Sequence, residues 1–410
     1  MLRRRLLLAW ALLLVVALVL LLGTPPPAGL STPIGRRAGT ALLIALLVLV
    51  ALRPLLRLAT WRGRRQLLGA WRRLVRWEFW PPWAFYPPVA LAVGVLGLRH
   101  RSLALVTAVN PGIPAGGFIG ESKSDILRQL GEAAAPFVVV RAGEVVDEAE
   151  RRVRAGGLVP PLVVKPDVGQ RGMGVRIVGD QQGLRAALCE PPVDLIVQAF
   201  VPGREFGVFY ARRPDAERGA ILSITDKRLP ALIGDGRRTL EELILADERA
   251  VCMARTYFAA NAARLPEVPA AGERVTLVHI GTHCRGAIFL DGTALRTPAM
   301  EAAFERIARS FPGFHFGRFD VRVPSVEALQ AGREISVIEL NGLTSEMTHV
   351  YDPRIPLLTA WRTLGRQWAL AFEIARANVA RGARPARLAD LAAALRAFRR
   401  HARRLPSAGG

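Results

Sequence analysis

The stretch VVKPDVGQRGMGVRIV, residues 163 to 178, constrains the fold of this chain more than any other segment. β-Branched residues lead into Lys165, a short glycine-containing loop follows, and β-branched residues lead out of it. This pattern predicts a strand, a flexible loop and a second strand. Such a loop suits phosphate binding, since glycine lets backbone N–H groups approach an anion, but taken alone it is equally consistent with a plain β-hairpin. The loop glycines are Gly169, Gly172 and Gly174.

Lysine is scarce in this chain, whereas arginine is abundant. The sequence holds 53 arginines and only three lysines, which are Lys123, Lys165 and Lys227. Arginine therefore supplies positive charge in general, while the compact ammonium of lysine is a usual point-charge ligand for nucleotide phosphates. We expect the three lysines to have specific roles.

The formal net charge of +22 is concentrated at the two ends of the chain. Eight arginines and no acidic residue lie between Arg53 and Arg76, and the segment from Arg376 to Arg404 is nearly as basic. Neither segment has zinc-finger spacing or an aromatic RNA-binding signature, so an anionic membrane surface explains the charge better than nucleic acid does. Residues 381 to 410 predict a basic amphipathic helix and tail, either solvated or docked on that surface.

Two apolar runs near the start of the chain predict a membrane anchor. Residues 6 to 22 are uncharged and long enough to span a bilayer, and a shorter run covers residues 38 to 52. A signal peptide is the alternative for the first run, but no A-x-A cleavage site follows it. We therefore expect residues 1 to 60 to form a transmembrane helical hairpin in the inner (cytoplasmic) membrane. Flanking arginines predict that both ends of this hairpin, and with them the domain that follows, lie on the cytoplasmic side by the positive-inside rule.

Residues 61 to 102 predict a basic and aromatic juxtamembrane segment. Its part from 77 to 98 contains three tryptophans and four prolines and includes an apolar run of marginal length. This composition favours the headgroup interface, so we predict an interfacial or re-entrant segment. A third full crossing, which would put the following domain outside the cytosol, stays open.

Residues 103 to 380 have the pattern of an α+β domain. A strand is predicted at residues 102 to 110, a helix at 122 to 134 and a strand at 136 to 143. Apolar segments separated by turn residues then predict mostly antiparallel strands. Residues 238 to 258 have apolar spacing near that of an α-helix and predict one long helix.

Several common catalytic motifs are missing from the sequence. It holds no GxxxxGK[ST], no GxGxxG between a strand and a helix, no serine hydrolase elbow and no HExxH. It does hold acids on predicted strands downstream of the glycine loop, in GRFDVRV and ISVIELNG. Glu339 and Asn341 are two residues apart, so an extended backbone points both to one face. With Asp320 they are oxygen ligands of the kind that Mg²⁺ prefers.

In their order and spacing these features resemble the ATP-grasp superfamily, and within it the carboxylate:amine ligases typified by D-alanine:D-alanine ligase. The resemblance covers residues 114 to 356. It implies an α+β ATP-grasp fold, in which two subdomains grip ATP between antiparallel sheets, here preceded by the α-helical membrane hairpin. Such enzymes activate a carboxylate as an acyl phosphate, which an amine then attacks. The implied cofactors are ATP and Mg²⁺, with two metal ions and Mn²⁺ as an alternative metal.

The resemblance assigns nucleotide contacts to the first half of the domain. Lys123 and Lys165 match lysines that bind the nucleotide, and the loop glycines match a mobile loop that closes over the phosphates. Glu205 stands where an acid binds the ribose hydroxyls. The hinge that contacts adenine begins with glutamine where an acid is commoner. It comprises Gln198, Ala199, Phe200 and Val201.

Catalytic and metal-binding roles are implied mainly for the second half. Arg318, in GRFD, matches the arginine that stabilises the transferring phosphoryl group and acts together with Lys165. Lys227 and the GDG turn at residues 234 to 236 resemble an element of peptide-forming ligases. The matches to the magnesium ligands are Asp320, Glu339 and Asn341.

The roles of four further residues stay open. His279, His283 and Arg285 precede the metal motif and are either substrate contacts or structural residues. Arg322 faces either substrate or solvent. The sequence NGLTSEMTH, which starts at Asn341, lacks the Pro-Gly of the D-alanine ligase pattern, so the identity of the amine is not implied.

The sequence therefore predicts a membrane-anchored, ATP- and Mg²⁺-dependent carboxylate:amine ligase that forms an amide or peptide-like bond. Its expected partners are small-molecule carboxylate and amine substrates and the membrane lipid surface, without nucleic acid, and a homodimer is left open. A catalytically degenerate, membrane-tethered ATP-binding sensor or scaffold is the alternative, because Gln198 and the segment after Asn341 depart from the family pattern.

Overall fold

The computed structural model describes residues 57–170 and 172–405. Most of the predicted transmembrane hairpin, residues 1–56, lies outside the described residues. In the part of the chain that the structure describes, no helix is long and apolar enough to cross a membrane. The chain divides into two compact units, Met1–Trp71 and Arg72–Gly410, and the β-sheets lie in the second.

Helices and strands alternate irregularly along the described residues, as expected for an α+β domain. The helices are α1 (Trp61–Val75), α2 (Pro82–Phe85), α3 (Pro87–Arg99), α4 (Lys123–Gln129), α5 (Val146–Ala155), α6 (Gln181–Leu188), α7 (Leu240–Ala246), α8 (Ala254–Ala260), α9 (Pro298–Ser310), α10 (Val326–Gln330), α11 (Leu357–Ala380) and α12 (Leu388–Ala402). The strands are β1 (Phe137–Val140), β2 (Leu162–Pro166), β3 (Arg176–Val178), β4 (Leu195–Ala199), β5 (Arg204–Ala211), β6 (Ala220–Arg228), β7 (Ala231–Ile233), β8 (Arg274–Thr276), β9 (Ile288–Asp291), β10 (Phe316–Val323) and β11 (Ser336–Asn341).

The strands form three antiparallel sheets. The four-stranded sheet has the order β1-β4-β2-β3, the five-stranded sheet has the order β11-β10-β5-β6-β9, and β7 pairs with β8. The predicted α+β class with antiparallel sheets is therefore confirmed. The strand, loop and strand predicted at residues 163 to 178 are β2, the glycine loop and β3, which pair with each other.

Alternation along β10 explains which of its residues reach the functional site. Phe319, Val321 and Val323 are buried in a core that α4 and α9 cover. Because side chains alternate between the two faces of a strand, Arg318 and Asp320 point to the opposite face. One face of β10 therefore packs in an apolar core, and the other face carries charged side chains.

Two predicted elements differ in the structure. Residues 102 to 110, predicted as a strand, instead contain a 3₁₀-helix at Ala104–Ala108, whose apolar residues pack in a core cluster with α11. The long helix predicted at 238 to 258 is broken after Ala246. There the Asp247 carboxylate accepts backbone N–H groups from Arg249 and Ala250, and this local bonding competes with a continuing helix.

The segment at residues 77 to 98, predicted to be interfacial or re-entrant, packs partly against the protein itself. Phe85 and Val89 are buried with Ala360 and Leu364 of α11. Phe85 also stacks on Trp77, with ring centroids 5.3 Å apart. This packing places the segment beside the cavity described next.

Candidate active site

One cavity of about 800 Å³ is lined by residues from both larger sheets. Apart from Gly174, every predicted site residue contributes to its lining: the lysines, the other loop glycines, the hinge, Glu205, Arg318 and the matched metal ligands. Lys227, Arg322, His279 and His283 line it as well. The motifs are far apart in sequence, and the fold brings them together.

Lys165 lines this cavity, and its ammonium is held by two neutral oxygens. Its Nζ donates to Gln198 Oε1 at 2.8 Å and to the backbone oxygen of Ile338 at 2.9 Å. Burial, helped by the nearby charge of Lys123, lowers the pKa of Lys165 to about 8. The glutamine that departs from the family pattern thus makes a direct contact with the lysine.

Lys123 begins α4 and reaches the glycine loop. The Ser122 hydroxyl caps this helix by accepting the backbone N–H of Asp125 at 3.1 Å, which fixes Lys123 at its first turn. Lys123 Nζ donates to the backbone oxygen of Gly169 and lies 3.9 Å from Glu339 Oε1. It therefore connects the loop to the acids of the five-stranded sheet.

The glycine loop lies against the segment that contains the histidines. Gly172 and Gly174 have φ of 69° and 68°, in the left-handed region that glycine tolerates best. A Cβ on Gly174 would also meet Pro166 Cγ at 2.8 Å. Arg285, which does not line the cavity, donates to the backbone oxygen of Gly172 at 3.0 Å and so holds the loop in place.

Arg322 lines the cavity and supports the hinge rather than facing bulk solvent. Its guanidinium stacks on the Phe200 ring at 4.9 Å and donates to the backbone oxygen of Val201 at 2.9 Å. It also lies 3.3 Å from Glu205 Oε2. The period of two in GRFDVRV places Arg322 on the same face as Asp320, a signal that could have assigned it from sequence.

Lys227 bridges two acids of the site. The register of the five-stranded sheet pairs Glu205 with both Lys227 and Arg322, so the three lie in one row across the strands. Lys227 Nζ is 2.9 Å from Glu205 Oε1 and 2.9 Å from Asp320 Oδ1. Burial disfavours its charge, but Asp320 and Glu205 outweigh this effect and raise the pKa of Lys227.

Arg318 and Asp320 form a bidentate ion pair on β10. Arg318 Nε donates to Asp320 Oδ1 at 2.8 Å and Nη2 donates to Oδ2 at 3.1 Å. Burial disfavours the ionised form of Asp320. The positive charges of Arg318 and Lys227 outweigh this effect, lower the pKa of Asp320 and keep it ionised. Gly207 on the neighbouring strand leaves room for this pair, because a Cβ there would lie 3.1 Å from Arg318 Cδ.

The matched metal ligands come together on two adjacent strands. Asp320 is opposite Glu339 and Arg318 is opposite Asn341 in the register of β10 and β11. Asn341 Nδ2 lies 3.5 Å from Asp320 Oδ2. Among the described residues no group of three or more His, Cys, Asp or Glu side chains could hold a metal ion, so a metal here would also need the amide and substrate oxygens.

The other end of the cavity is aromatic, and little in the sequence pointed to it. Tyr86 donates to Glu346 Oε1 at 2.5 Å, and Tyr351 donates to Glu346 Oε2 at 3.1 Å. His283 stacks on Tyr351 with centroids 4.7 Å apart, whereas His279 is exposed. The GDG turn at 234–236 does not line the cavity, and its Asp235 caps the backbone of Arg238.

Comparisons with known proteins give only distant structural matches. No protein-family model matches the sequence, and no curated protein matches it either. The chain is similar in structure to a bifunctional glutathione synthetase from Pasteurella multocida, with 16% identity and a TM-score of 0.34, over 59% of this chain and 35% of that chain. The VanG D-Ala:D-Ser ligase from Enterococcus faecalis is similar with 15% identity and a TM-score of 0.36, over 62% of this chain and 60% of that chain.

A third similar structure is the D-alanine–D-alanine ligase from Bacillus anthracis, with 15% identity and a TM-score of 0.34, over 68% of this chain and 67% of that chain. The chain is thus similar to three ligase structures, each at low identity. It spans about a third of the length of the glutathione synthetase and 60% of the D-Ala:D-Ser ligase. At such low identity the activity has to be inferred from the residues of the cavity.

Proposed function

We propose that this chain is an ATP- and Mg²⁺-dependent ligase that joins a small-molecule carboxylate to an amine. One observation carries the proposal. The buried Lys165, the partly buried Lys123 and Arg318, a glycine loop and a pair of acids meet in a single cavity of about 800 Å³. Phosphoryl transfer asks mainly for positive charge and positioning around the moving group, and this arrangement supplies both.

In the proposed reaction an oxygen of the substrate carboxylate attacks the γ-phosphorus of ATP, which produces an acyl phosphate and ADP. The amine nitrogen then attacks the acyl carbon, and the bond from that carbon to the phosphate oxygen breaks. Amide, inorganic phosphate and one proton leave. An acyl phosphate is hydrolysed by water, so a glycine loop that covers it would protect it.

Each cavity residue has a proposed role that depends on its position. Lys165 and Lys123 would hold the phosphates of ATP beneath the loop. Phe200, on which Arg322 stacks, is part of the hinge that would contact the adenine. Glu205 would accept hydrogen bonds from the ribose hydroxyls. Arg318 is placed to stabilise charge on the phosphoryl group during transfer.

The donor set fits Mg²⁺, which prefers hard oxygen ligands. Glu339 and Asn341 line the cavity, and Asp320 keeps lone pairs beyond those used by Arg318 and Lys227. These three residues would hold the metal together with phosphate oxygens. When bound, Mg²⁺ would supply neutralisation of the phosphate charge.

The test is an ATP-consumption screen of the full-length chain over paired libraries of carboxylates and amines, with products identified by mass spectrometry. Hydroxylamine as the amine traps an acyl phosphate as a hydroxamate, so it reports the first step without knowledge of the natural amine. We expect activity with some pairs and its loss in Arg318→Ala. The matched control is Arg228→Ala, because Arg228 is an exposed arginine that does not line the cavity. Absence of any ATP-dependent product, together with nucleotide binding that Lys165→Ala leaves unchanged, would overturn the proposal.

A degenerate ATP-binding sensor is the second candidate. It is favoured by one contact: Asp320 is engaged by Arg318 and Lys227 at 2.8 to 2.9 Å, so binding a metal would require these neighbours to share it. The same screen separates the candidates, since a sensor binds ATP tightly and yields no product.

We further propose that residues 1 to 60 anchor the protein in the cytoplasmic membrane, with the cavity on the cytoplasmic side. The apolar runs in the sequence support this, as does an outward apolar face on α3, where Leu91, Val95 and Leu98 are 71%, 55% and 81% exposed. Exposed Cys189 offers a test of orientation. An impermeant maleimide should label it in inverted vesicles but not in right-side-out vesicles, with Cys189→Ser as the control for other thiols.

A further inference from the structure

One end of the cavity, where Lys227 Nζ lies 5.9 Å from the centroid of the Phe289 ring, has a distinct aromatic chemistry. Its wall is formed by Phe85, Tyr86, His283, Phe289 and Tyr351, which we call the aromatic end. These rings contact one another: the His283 ring lies 4.7 Å from Tyr351 and 5.4 Å from Phe289, and Phe85 lies 5.7 Å from Tyr351. The aromatic end is therefore a packed wall rather than a set of isolated side chains.

This wall lies next to the proposed catalytic arginine. Tyr86 and Tyr351 both donate to the Glu346 carboxylate, and Arg318 Nη1 donates to the backbone oxygen of Glu346 at 3.3 Å. A group bound against Tyr86 and Tyr351 would thus be close to the place where an acyl phosphate forms. The aromatic end is in position to hold the second substrate.

Two buried atoms in the cavity lack a hydrogen-bond partner within the protein. They are Glu121 Oε2 and His283 Nε2, and in the described part of the chain the other buried side-chain atoms of this kind belong to residues outside the lining. A buried acceptor left unpaired costs about 1–3 kcal/mol, so it is an unusual feature unless a ligand pairs with it. Burial, with a smaller effect of Arg249, lowers the pKa of His283 to about 4, so the ring is neutral and Nε2 can accept a hydrogen bond.

Resting on the proposed ligase function, we propose that the aromatic end binds the amine substrate as an ammonium ion carried on an apolar body. An ammonium has only donors, which suits the unpaired Nε2 of His283 and the carboxylate of Glu346. The rings of the wall would pack on the apolar body and attract the cation.

The two ends of the cavity would thereby sort the two substrates by charge. A carboxylate at the aromatic end would be repelled by Glu346, because the charge of the nearby Lys227 is already paired with Glu205 and Asp320. At the other end Lys123 and Lys165 attract carboxylate and phosphate groups. The amine and the carboxylate would then approach each other from opposite ends near Arg318.

The experiment uses three probes of similar shape on the full-length chain: 2-phenylethylamine, 2-phenylethanol and 3-phenylpropionate. Binding is measured by calorimetry and saturation-transfer NMR with a non-hydrolysable ATP analogue present. We expect the amine to bind at least about tenfold more tightly than the alcohol and the carboxylate, because only the ammonium pairs with the acceptors. Equal binding of 3-phenylpropionate, or no saturable binding of the amine, overturns the proposal.

Two pairs of variants locate the site. Glu346→Gln and His283→Asn should each weaken amine binding about fivefold or more, as expected for loss of a charge-assisted or buried hydrogen bond. Their matched controls are Glu305→Gln, at a carboxylate outside the cavity that likewise accepts a tyrosine hydroxyl, and His349→Asn, at an unpaired buried ring atom outside the cavity. Equal losses in site and control variants would overturn the assignment. If Glu346→Gln does not fold, Tyr86→Phe takes its place, since it removes the hydrogen bond that fixes Glu346.

Affinity for the ATP analogue and ATP-dependent phosphate release are measured on the same samples. If the amine binds with the expected selectivity but ATP neither binds nor turns over, the ligase proposal fails and the amine site stands. If ATP-dependent ligation proceeds while the site variants leave the KM for the amine unchanged, the amine site fails and the ligase proposal stands.

Discussion

Lys165 and Gln198 form a hydrogen bond of 2.8 Å from Nζ to Oε1, across the paired strands β2 and β4. The other acceptor of the ammonium is the backbone oxygen of Ile338, which lies on β11 of the five-stranded sheet. Lys165 is 7% exposed and is therefore a desolvated cation held by neutral groups, with one contact in each sheet. Binding an anionic ligand stabilises such a cation more than it would a cation already paired with a carboxylate. This property predicts two measurable effects for Lys165.

The first effect is in nucleotide binding. Because the pKa of Lys165 is lowered to about 8, the side chain loses its charge as the pH rises through that value, and its attraction to phosphate is lost. We expect the Kd for an ATP analogue to increase on going from pH 7 to pH 9. Lys165→Arg should flatten this dependence, since arginine stays charged throughout. Parallel pH profiles for the two proteins would contradict the role of Lys165.

The second effect is in stability. The folded pKa of Lys165, about 8, lies below the 10.5 of the free side chain, so between these values the unfolded state binds more protons. The free energy of unfolding should therefore rise with pH in that window. Below it, the charged lysine costs at most about 3 kcal/mol, partly offset by its two hydrogen bonds. We expect Lys165→Met to abolish ATP binding without lowering the unfolding temperature at pH 7, as followed by calorimetry. A marked fall in that temperature would indicate a mainly structural lysine.

Replacing Lys227 should destabilise the fold, whereas replacing Lys165 should not, because the neighbours of Lys227 are charged. It lies 2.9 Å from both Glu205 and Asp320, and its removal leaves the buried Asp320 and the partly buried Glu205 without their shared cation. We expect Lys227→Met to destabilise the fold by about 3–5 kcal/mol in denaturant unfolding. Adding Asp320→Asn to this variant should recover part of the loss. Strictly additive effects in this double-mutant cycle would mean that the two residues are not coupled.

Arg322 is expected to act on nucleotide affinity rather than on turnover. It stacks on Phe200 and donates to Val201, so it shapes the hinge without reaching the proposed phosphoryl site. Arg322→Ala should raise the Kd for ATP about tenfold and change kcat by less than about twofold, in keeping with the loss of a stacked cation and a hydrogen bond. The control is Arg204→Ala, since Arg204 likewise stacks on a ring and pairs with an acid but does not line the cavity. Similar losses of ATP affinity in both variants would argue against a hinge role.

Much of the site could be predicted because its residues carry local signals. The spacing in GRFDVRV and ISVIELNG sets which side chains share a face of a strand, and β10 and β11 then bring Asp320 and Glu339 opposite each other. The same period of two could have placed Arg322 in the site. The scarcity of lysine singled out Lys227, but only the register of β5 and β6 reveals that it pairs with Glu205.

Other features had no local signal. Tyr86 and Tyr351 meet at 2.9 Å between their hydroxyl oxygens, although they are 265 residues apart in sequence and belong to segments with unrelated patterns. The break at Asp247 was hidden by apolar spacing that continues across it. Residues 102 to 110 read as a strand because they are apolar, yet tertiary packing against α11 gives them a 3₁₀ turn. Each of these features depends on contacts between distant segments rather than on propensity.

The basic helix α12 contacts the start of the glycine loop. Neither the solvated nor the membrane-docked helix predicted from the sequence included this contact. His401 Nε2 donates to the backbone oxygen of Val168 at 2.8 Å, directly before the first glycine of the phosphate loop. Leu405, 8% exposed, packs in the core cluster with Val164 of β2. The end of the chain's last helix therefore holds the base of the loop.

We expect His401→Ala and Leu405→Ala to loosen the loop. Backbone amides at residues 168 to 174 should then exchange faster with deuterium, and the KM for ATP should rise several-fold, because a less ordered loop loses more conformational freedom on closing over the phosphates. Arg399→Ala is the matched control, because Arg399 is an exposed residue of the same helix. Hydrogen–deuterium exchange with mass spectrometry measures the first effect. Unchanged exchange at the loop in the His401 and Leu405 variants would show that α12 does not control it.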